Sequence, residues 1–250
     1  MSCKNHIKLF FKNGVRKIQF NRPENKNALN KTMYQDLTEI LNKDAQNDDI
    51  VITILTGEGE YYSSGNDLKS AFNEGLSLAE PKSLIQAFID YPKLLIAVIN
   101  GPAIGIAATT ATLCDIVYAS DRAYFSTPFL QLGLCAEGTS SYGYPRILGR
   151  SKASECLLLN KKLSATEAYR LGFVAEIIPH NELENFIESL YQYGKLPVGA
   201  VKINKNLIME NYRDILTKVH EKEFETLEKC VDSDDFQQAV MKFIQIKSKL

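Results

Sequence analysis

The sequence predicts an α/β chain made of repeated strand–strand–helix units, followed by a region composed almost wholly of helices. Three observations lead there. Short apolar runs at Val15 to Phe20, Ile50 to Thr56, Leu94 to Ile99 and Asp115 to Ala119 recur through the first half, separated by turns and helical patterns. The runs at Ile50 and Leu94 are continuous rather than alternating, as in parallel strands buried on both faces. Beyond residue 150 a single such run, Val174 to Ile178, stands among helical segments.

Taken in order, Ile7 to Phe11 and Val15 to Phe20 flank Asn13-Gly14, a pair suited to a tight hairpin turn. The polar stretch NRPENKNALN ends at Asn30, and Met33, Leu37, Ile40 and Leu41 then recur at helical spacing, with Asn30 or Thr32 as the cap. The strand Ile50 to Thr56 closes on Gly57, and a helix around Leu84 to Tyr91 precedes the strand Leu94 to Ile99. In NGPAIGIAATTATLCD, Asn100 to Asp115, an apolar strand breaks at Gly-Pro and restarts as small residues, which predicts a strand end turning into a buried helix. The C-terminal part predicts helices over Ser151 to Leu159, Thr166 to Leu171, Glu182 to Tyr193, Ala200 to Ile208, Asp214 to Lys229 and Asp235 to Lys247.

Composition narrows the function classes. The chain has 250 residues, 45% of them hydrophobic and 24% charged, with a formal net charge of -1 and no long run of one sign. A core of comfortable size is expected, and neither a nucleic acid nor an anionic membrane is an expected partner. Cys3, Cys114, Cys135, Cys156 and Cys230 are widely and irregularly spaced, and only three histidines are present, so reduced thiols and no metal site are expected. No apolar run approaches a membrane span and no secretory leader is seen, so a soluble, non-secreted protein is expected. Ser248, Lys249 and Leu250 spell the peroxisomal address SKL, which makes the import receptor an expected partner and the peroxisomal matrix the expected location.

Two loops carry the candidate chemistry. In GEGEYYSSGNDLK, Gly65 permits a backbone conformation that turns the next N–H toward a ligand, and the NGPAIG turn offers a second free N–H at the start of a helix. Two convergent N–H donors are what an acyl oxyanion needs. Asp67 reads as a turn or cap residue and Asp115 as structural.

The motifs NRPENKNALN, SSGNDLK, NGPAIGIAATTATLCDIVYAS and LGLCAEGTSSYGYPRILG, in this order over nearly the whole chain, resemble the enoyl-CoA hydratase/isomerase (crotonase) superfamily, and within it peroxisomal Δ3,Δ2-enoyl-CoA isomerases. The resemblance implies a crotonase-like ββα spiral core over residues 1–195 and a C-terminal helical, trimer-forming region over 196–250. It also implies an acyl-CoA thioester as ligand with no separate cofactor, and a homotrimer or a dimer of trimers. Carried onto this sequence, the oxyanion donors would be the backbone N–H groups of Asn66 and Ile106. Substrate contacts would come from Ser64, Gly65, Asn66, Asp67, Leu68 and Lys69, with Lys26 and Ala28 from the first loop. The two glutamates that hydratases of the family carry are replaced by Thr109 and Phe129. Glu137 stands where the peroxisomal isomerases have their catalytic glutamate, beside apolar Leu134, Cys135 and Ala136 and ahead of Gly138, so burial would raise its pKa toward that of a useful base. Hydratase or dienoyl-CoA isomerase activity through other acids, and a non-catalytic acyl-CoA-binding scaffold, are the alternatives. Tyr61, Phe72, Phe88 and Phe129 are candidates for the acyl pocket.

Overall fold

The computed structural model describes residues 6–247; Cys3 and the expected signal Ser248, Lys249 and Leu250 lie outside them. Strands β1 (Ile7–Lys12) and β2 (Val15–Phe20) form the expected antiparallel hairpin. Its turn residues Asn13 and Gly14 have φ of 51° and 77°, the left-handed conformation that a two-residue hairpin turn demands. Helix α1 (Lys31–Gln46) is capped by Asn30, whose side chain accepts the Met33 N–H at 3.0 Å. The chain continues through β3 (Ile52–Gly57), α2 (Leu68–Glu74), α3 (Ala79–Asp90), β4 (Leu94–Ile99), β5 (Ala103–Ile104), α4 (Ile106–Thr109), β6 (Ile116–Ser120) and β7 (Tyr124–Ser126). Then come α5 (Ser140–Leu148), α6 (Arg150–Leu159), β8 (Leu163–Ser164), α7 (Ala165–Arg170), β9 (Glu176–Ile178), α8 (Leu183–Leu190), α9 (Val198–Val231) and α10 (Asp234–Lys247).

The larger sheet runs β1-β2-β3-β4-β6-β9, parallel from β2 onward. Successive residues on its central strands face opposite ways, and both ways are dry. Ile52, Ile54, Ile96 and Val98 join Leu183, Ile187 and Leu190 in one buried cluster, whereas Leu55, Leu95, Ala97 and Ile99 pack with the apolar faces of α1 and α3 in the other. The smaller sheet, β5-β7-β8, takes a short stretch after several large-sheet strands: β5 follows β4, β7 follows β6, and Ser63, after β3, bridges to Ala103, while β8 comes from beyond α6. This alternation is the strand–strand–helix repeat.

The structure corrects three readings. The small-residue segment after Gly105 is one α-helical turn followed by a 3-10 turn over Thr110–Leu113, not a full helix. Threonine hydroxyls bond back to main-chain carbonyls there, Thr110 to Ile106 at 2.6 Å and Thr112 to Thr109 at 2.7 Å, and tighten the turn. The segments Ala200 to Ile208 and Asp214 to Lys229 form a single helix, α9, because no Gly or Pro interrupts residues 200–231. Helix α5, unpredicted, holds Gly143 and Pro145; Gly143 lets it approach closely, since a Cβ there would lie 3.2 Å from Thr112 Oγ1.

Helix α9 is docked by buried Lys205, which donates to Asp115 Oδ2 at 2.8 Å and to the Lys93 carbonyl at 2.7 Å. Asp115 also accepts the Leu95 N–H at 2.7 Å, the structural role expected of it. Among the described residues no helix is long and apolar enough to cross a membrane.

Candidate active site

The loops that matter leave the C-terminal ends of the parallel strands β2, β3 and β4, the usual ligand side of such a sheet. Buried polar side chains bolt them together. Asn27 accepts the Arg22 N–H at 2.8 Å and donates to the carbonyls of Glu58 and Tyr61 at 2.9 and 2.7 Å. Arg22 Nη1 donates to the Ala28 carbonyl at 2.6 Å and to Asp67 Oδ2 at 3.0 Å. Asn100 accepts the Gly57 N–H at 2.9 Å and donates to the Gly59 carbonyl at 2.8 Å. Each loop is thus fixed by a neighbour distant in sequence, and the buried side chains that tie it find partners.

Gly65 lets the two strand-to-helix turns come into contact. Gly65 has φ of 82°, and a Cβ on it would stand 2.5 Å from the Ile104 carbonyl. The N–H of Gly65 is taken by Ser63 Oγ at 3.1 Å and that of Gly105 by the Ser126 carbonyl at 2.8 Å. The next amides, of Asn66 and Ile106, donate to no other group among the described residues. Leu29 N–H binds the Gly65 carbonyl at 2.8 Å and Asp67 N–H binds the Leu29 carbonyl at 2.9 Å, and in such a parallel bridge the residue between, Asn66, turns its N–H to the opposite side.

Asn66, Gly105, Ile106 and Glu137 all line one largely apolar cavity of about 160 Å³. The loop between β7 and α5 delivers Glu137, whose side chain is 7% exposed. Thr109 Oγ1 donates to Glu137 Oε1 at 3.2 Å. Gly138, at φ 67°, lets the loop lie on Thr109, since a Cβ there would sit 2.3 Å from that hydroxyl. Burial, and after it the nearby Glu223 carboxylate, push the Glu137 carboxyl up to about 8 against the opposing Thr109 hydroxyl. A carboxyl so placed is, once ionised, a stronger base than an ordinary carboxylate, in a largely apolar pocket.

Of the other expected contacts, Ser64 and Leu68 line the cavity, whereas Ala28 and Asp67 hold Arg22 instead. Asp67 also accepts the Ser70 N–H at 3.2 Å as the cap of α2, and its bonds to Ser70 and Arg22 keep its carboxyl below the ordinary range against burial. Lys26 and Lys69 are exposed, Lys26 lying over the Tyr61 ring. Of the proposed pocket aromatics only Phe129 lines the cavity; Phe88 is core, and Phe72 packs on Phe236, which does line it. Two residues near the acid carried no signal in the sequence. Tyr34 reads as core of α1, yet its hydroxyl is buried without a partner in the cavity wall. Glu223 reads as one acid among many on α9, yet it is buried and accepts the N–H groups of Thr139 and Ser141 at 2.7 and 2.9 Å. Among the described residues no group of three His, Cys, Asp or Glu side chains is arranged to hold a metal ion.

The chain matches the family described as Enoyl-CoA hydratase/isomerase over residues 10–249. It is 45% identical over 248 residues to Enoyl-CoA delta isomerase 2 of Rattus norvegicus, covering 95% of this chain and 63% of that protein. Identity to Enoyl-CoA delta isomerase 3, peroxisomal, of Mus musculus is 41%, over 94% of this chain and 77% of that protein. The chain thus spans less than two thirds of the length of the rat protein. Its fold superposes on the crystal structure of an enoyl-CoA hydratase/isomerase from Pseudoalteromonas atlantica T6c with a TM-score of 0.91 and 29% identity, covering 96% of this chain and 97% of that one. A match that runs almost from end to end, in sequence and in fold alike, shows that the chain belongs to the enoyl-CoA hydratase/isomerase family.

Proposed function

We propose that the chain is a Δ3,Δ2-enoyl-CoA isomerase, which moves the double bond of a 3-enoyl-CoA to the 2-trans position in fatty acid β-oxidation. The observation that carries this is Glu137, the one carboxylic acid among the described residues lining the cavity, buried and proton-avid. The names of the rat and mouse relatives support the same reading. Hydration of a 2-enoyl thioester is disfavoured because Thr109 and Phe129, at the hydratase glutamate positions, cannot act as bases.

In this mechanism the thioester oxygen sits between the N–H groups of Asn66 and Ile106, each worth about 3 kcal/mol to the enolate, the order found for such donors. Glu137 takes a proton from C2, charge spreads along the dienolate to C4, and the same carboxyl group returns the proton there. One base suffices because C2 and C4 lie on one side of a short acyl segment. The apolar wall keeps water from trapping the intermediate. No cofactor is needed beyond the CoA of the substrate, whose phosphates Lys26 and Lys69 would meet at the surface. Proposed with it are a core over residues 1–195, a helical region over 196–250, and assembly as a homotrimer or dimer of trimers. Ile203, Leu207 and Ile208 on α9 are 64%, 61% and 66% exposed, which favours a partner surface, and sedimentation measures its stoichiometry. Peroxisomal residence rests on Ser248, Lys249 and Leu250 together with the mouse relative's name.

The test is Glu137→Gln. Turnover of 3-hexenoyl-CoA should fall about 10²- to 10⁴-fold, the usual share of a general base, with binding of saturated hexanoyl-CoA unchanged. Full turnover in that variant would remove Glu137 from the site, and a wild type that consumes crotonyl-CoA but not 3-hexenoyl-CoA would be a hydratase.

A further inference from the structure

Helix α5 begins at Ser140 without a local side-chain cap: Thr139, at the cap position, makes no side-chain bond to it, and its hydroxyl is buried and unpartnered. The amides that a cap would satisfy are taken from across the molecule. Glu223, on α9 and 5% exposed, accepts the Thr139 N–H through Oε2 at 2.7 Å and the Ser141 N–H through Oε1 at 2.9 Å. Its main-chain carbonyl also meets the Cys135 thiol at 3.7 Å. Contacts to Cys135 on one side and to Thr139 and Ser141 on the other bracket Glu137.

The backbone between them needs holding. Gly138 and Thr139 are both left-handed, with φ of 67° and 61°, and for threonine that conformation costs about 1–2 kcal/mol, which its surroundings must offset. Buried helix-start amides without an acceptor would cost more than an ordinary lost bond. Glu223 supplies the acceptor.

We propose that Glu223 is a positioning residue for the isomerisation, fixing the turn that aims Glu137 and placing a fixed negative charge behind it. This rests on Glu137 being the base. Burial raises the Glu223 carboxyl above its ordinary value, and two amide bonds at a helix start favour its charged form and hold that rise back. Glu137, with a single hydroxyl donor, is therefore the carboxyl that keeps its proton longer, and the Glu223 charge adds to its rise to about 8. The other titratable groups facing Glu137 are Tyr34 from α1 and Tyr144 from α5, both held neutral by burial; Cys135 faces Glu223 and is neutral too. None of these supplies a competing charge.

The experiment is the pH profile of kcat/KM for 3-hexenoyl-CoA in Glu223→Gln and Glu223→Asp, with hexanoyl-CoA binding measured alongside. In Glu223→Gln the acid limb should move down by about one pH unit, the scale of a nearby like charge. Glu223→Asp keeps the charge but cannot span both amides, so its limb should stay while kcat falls about 10- to 100-fold, as for a slightly misplaced catalytic group. Binding should stay within about twofold of wild type in both, because neither variant touches the oxyanion amides. An unshifted limb in Glu223→Gln, or wild-type kcat in Glu223→Asp, overturns the proposal. If neither variant folds, an infrared titration of the wild type decides, with the Glu137 band identified by its loss in Glu137→Gln. Glu223 must lose its proton first, and the reverse order overturns it. Turnover in Glu137→Gln would remove the reading beneath, whereas an inactive Glu137→Gln beside an unshifted Glu223→Gln profile overturns this inference alone.

Discussion

In the proposed mechanism the carboxylate that takes a proton from carbon has to be basic enough to do so and ionised often enough to be ready, and Thr109 would mediate between these demands. Its hydroxyl donates to Glu137 Oε1 and is the group that pulls the acid back toward ionisation. Thr109→Val keeps the shape of the side chain and deletes the donor. The Glu137 carboxyl should then rise further, and the acid limb of kcat/KM should move up by about 0.5–1 pH unit, in keeping with a hydrogen bond worth about 1 kcal/mol. An unmoved limb would mean that the bond is absent in solution. The site was unevenly legible at this scale. Glu137 stood out once the order of motifs suggested a family, because its neighbours are apolar and a glycine follows. Glu223 did not, because a buried helix acid and a solvated one look alike until it is known which strand or turn the helix crosses.

At the scale of elements, the site depends on two tight turns being pressed together, and glycine is what allows it. Gly65→Ala would put a Cβ 2.5 Å from the Ile104 carbonyl, on a backbone at φ 82°. The expected result is a stability loss of about 2–4 kcal/mol, from left-handed strain and forced separation, together with a fall in kcat of about 10²-fold as the two amides part. Gly172→Ala is the control: φ is 80° but nothing lies within 4 Å of the new Cβ, so it should cost only about 1 kcal/mol and leave turnover intact. Thermal melts and turnover of the two variants separate strain from contact, and equal losses in both would discount the contact between the turns. The elements that were legible, the hairpin, α1 with its Asn30 cap and the central strands, have a long period or a specific turn residue. Those that were not, β5, β7 and β8, are two or three residues long, too short for alternation to register. Their pairing comes from the spiral of the chain rather than from local pattern.

Over the whole molecule, the C-terminal helices finish what the sheets begin. Leu227 and Val231 of α9, with Phe236 of α10, form part of the cavity wall, while Lys205 and Glu223 tie the same helical region to β4, β6 and α5. Closing the cavity buries Glu137, and burying an acid couples its ionisation to folding. The carboxyl moves from an ordinary value of 4.5 in the unfolded chain to about 8 in the fold. A raised carboxyl pKa means that the folded state holds the proton more tightly, so the stability it contributes is fully present below about pH 4.5 and is lost as pH rises through about 8. At about 1.4 kcal/mol per unit the loss is bounded at about 5 kcal/mol, and relaxation around the charge reduces it to a few. Glu137→Gln removes the ionisation and keeps the volume. Glu223 is present in both proteins, so its own contribution largely drops out of the comparison. The two proteins should therefore melt together near pH 4 and diverge as pH rises, the variant standing several degrees higher at pH 9, at about 2–4 °C per kcal/mol for a chain of this size. Parallel melting curves across that range would mean that Glu137 ionises as easily in the folded protein as in the unfolded chain, and that the cavity around it does not exclude water.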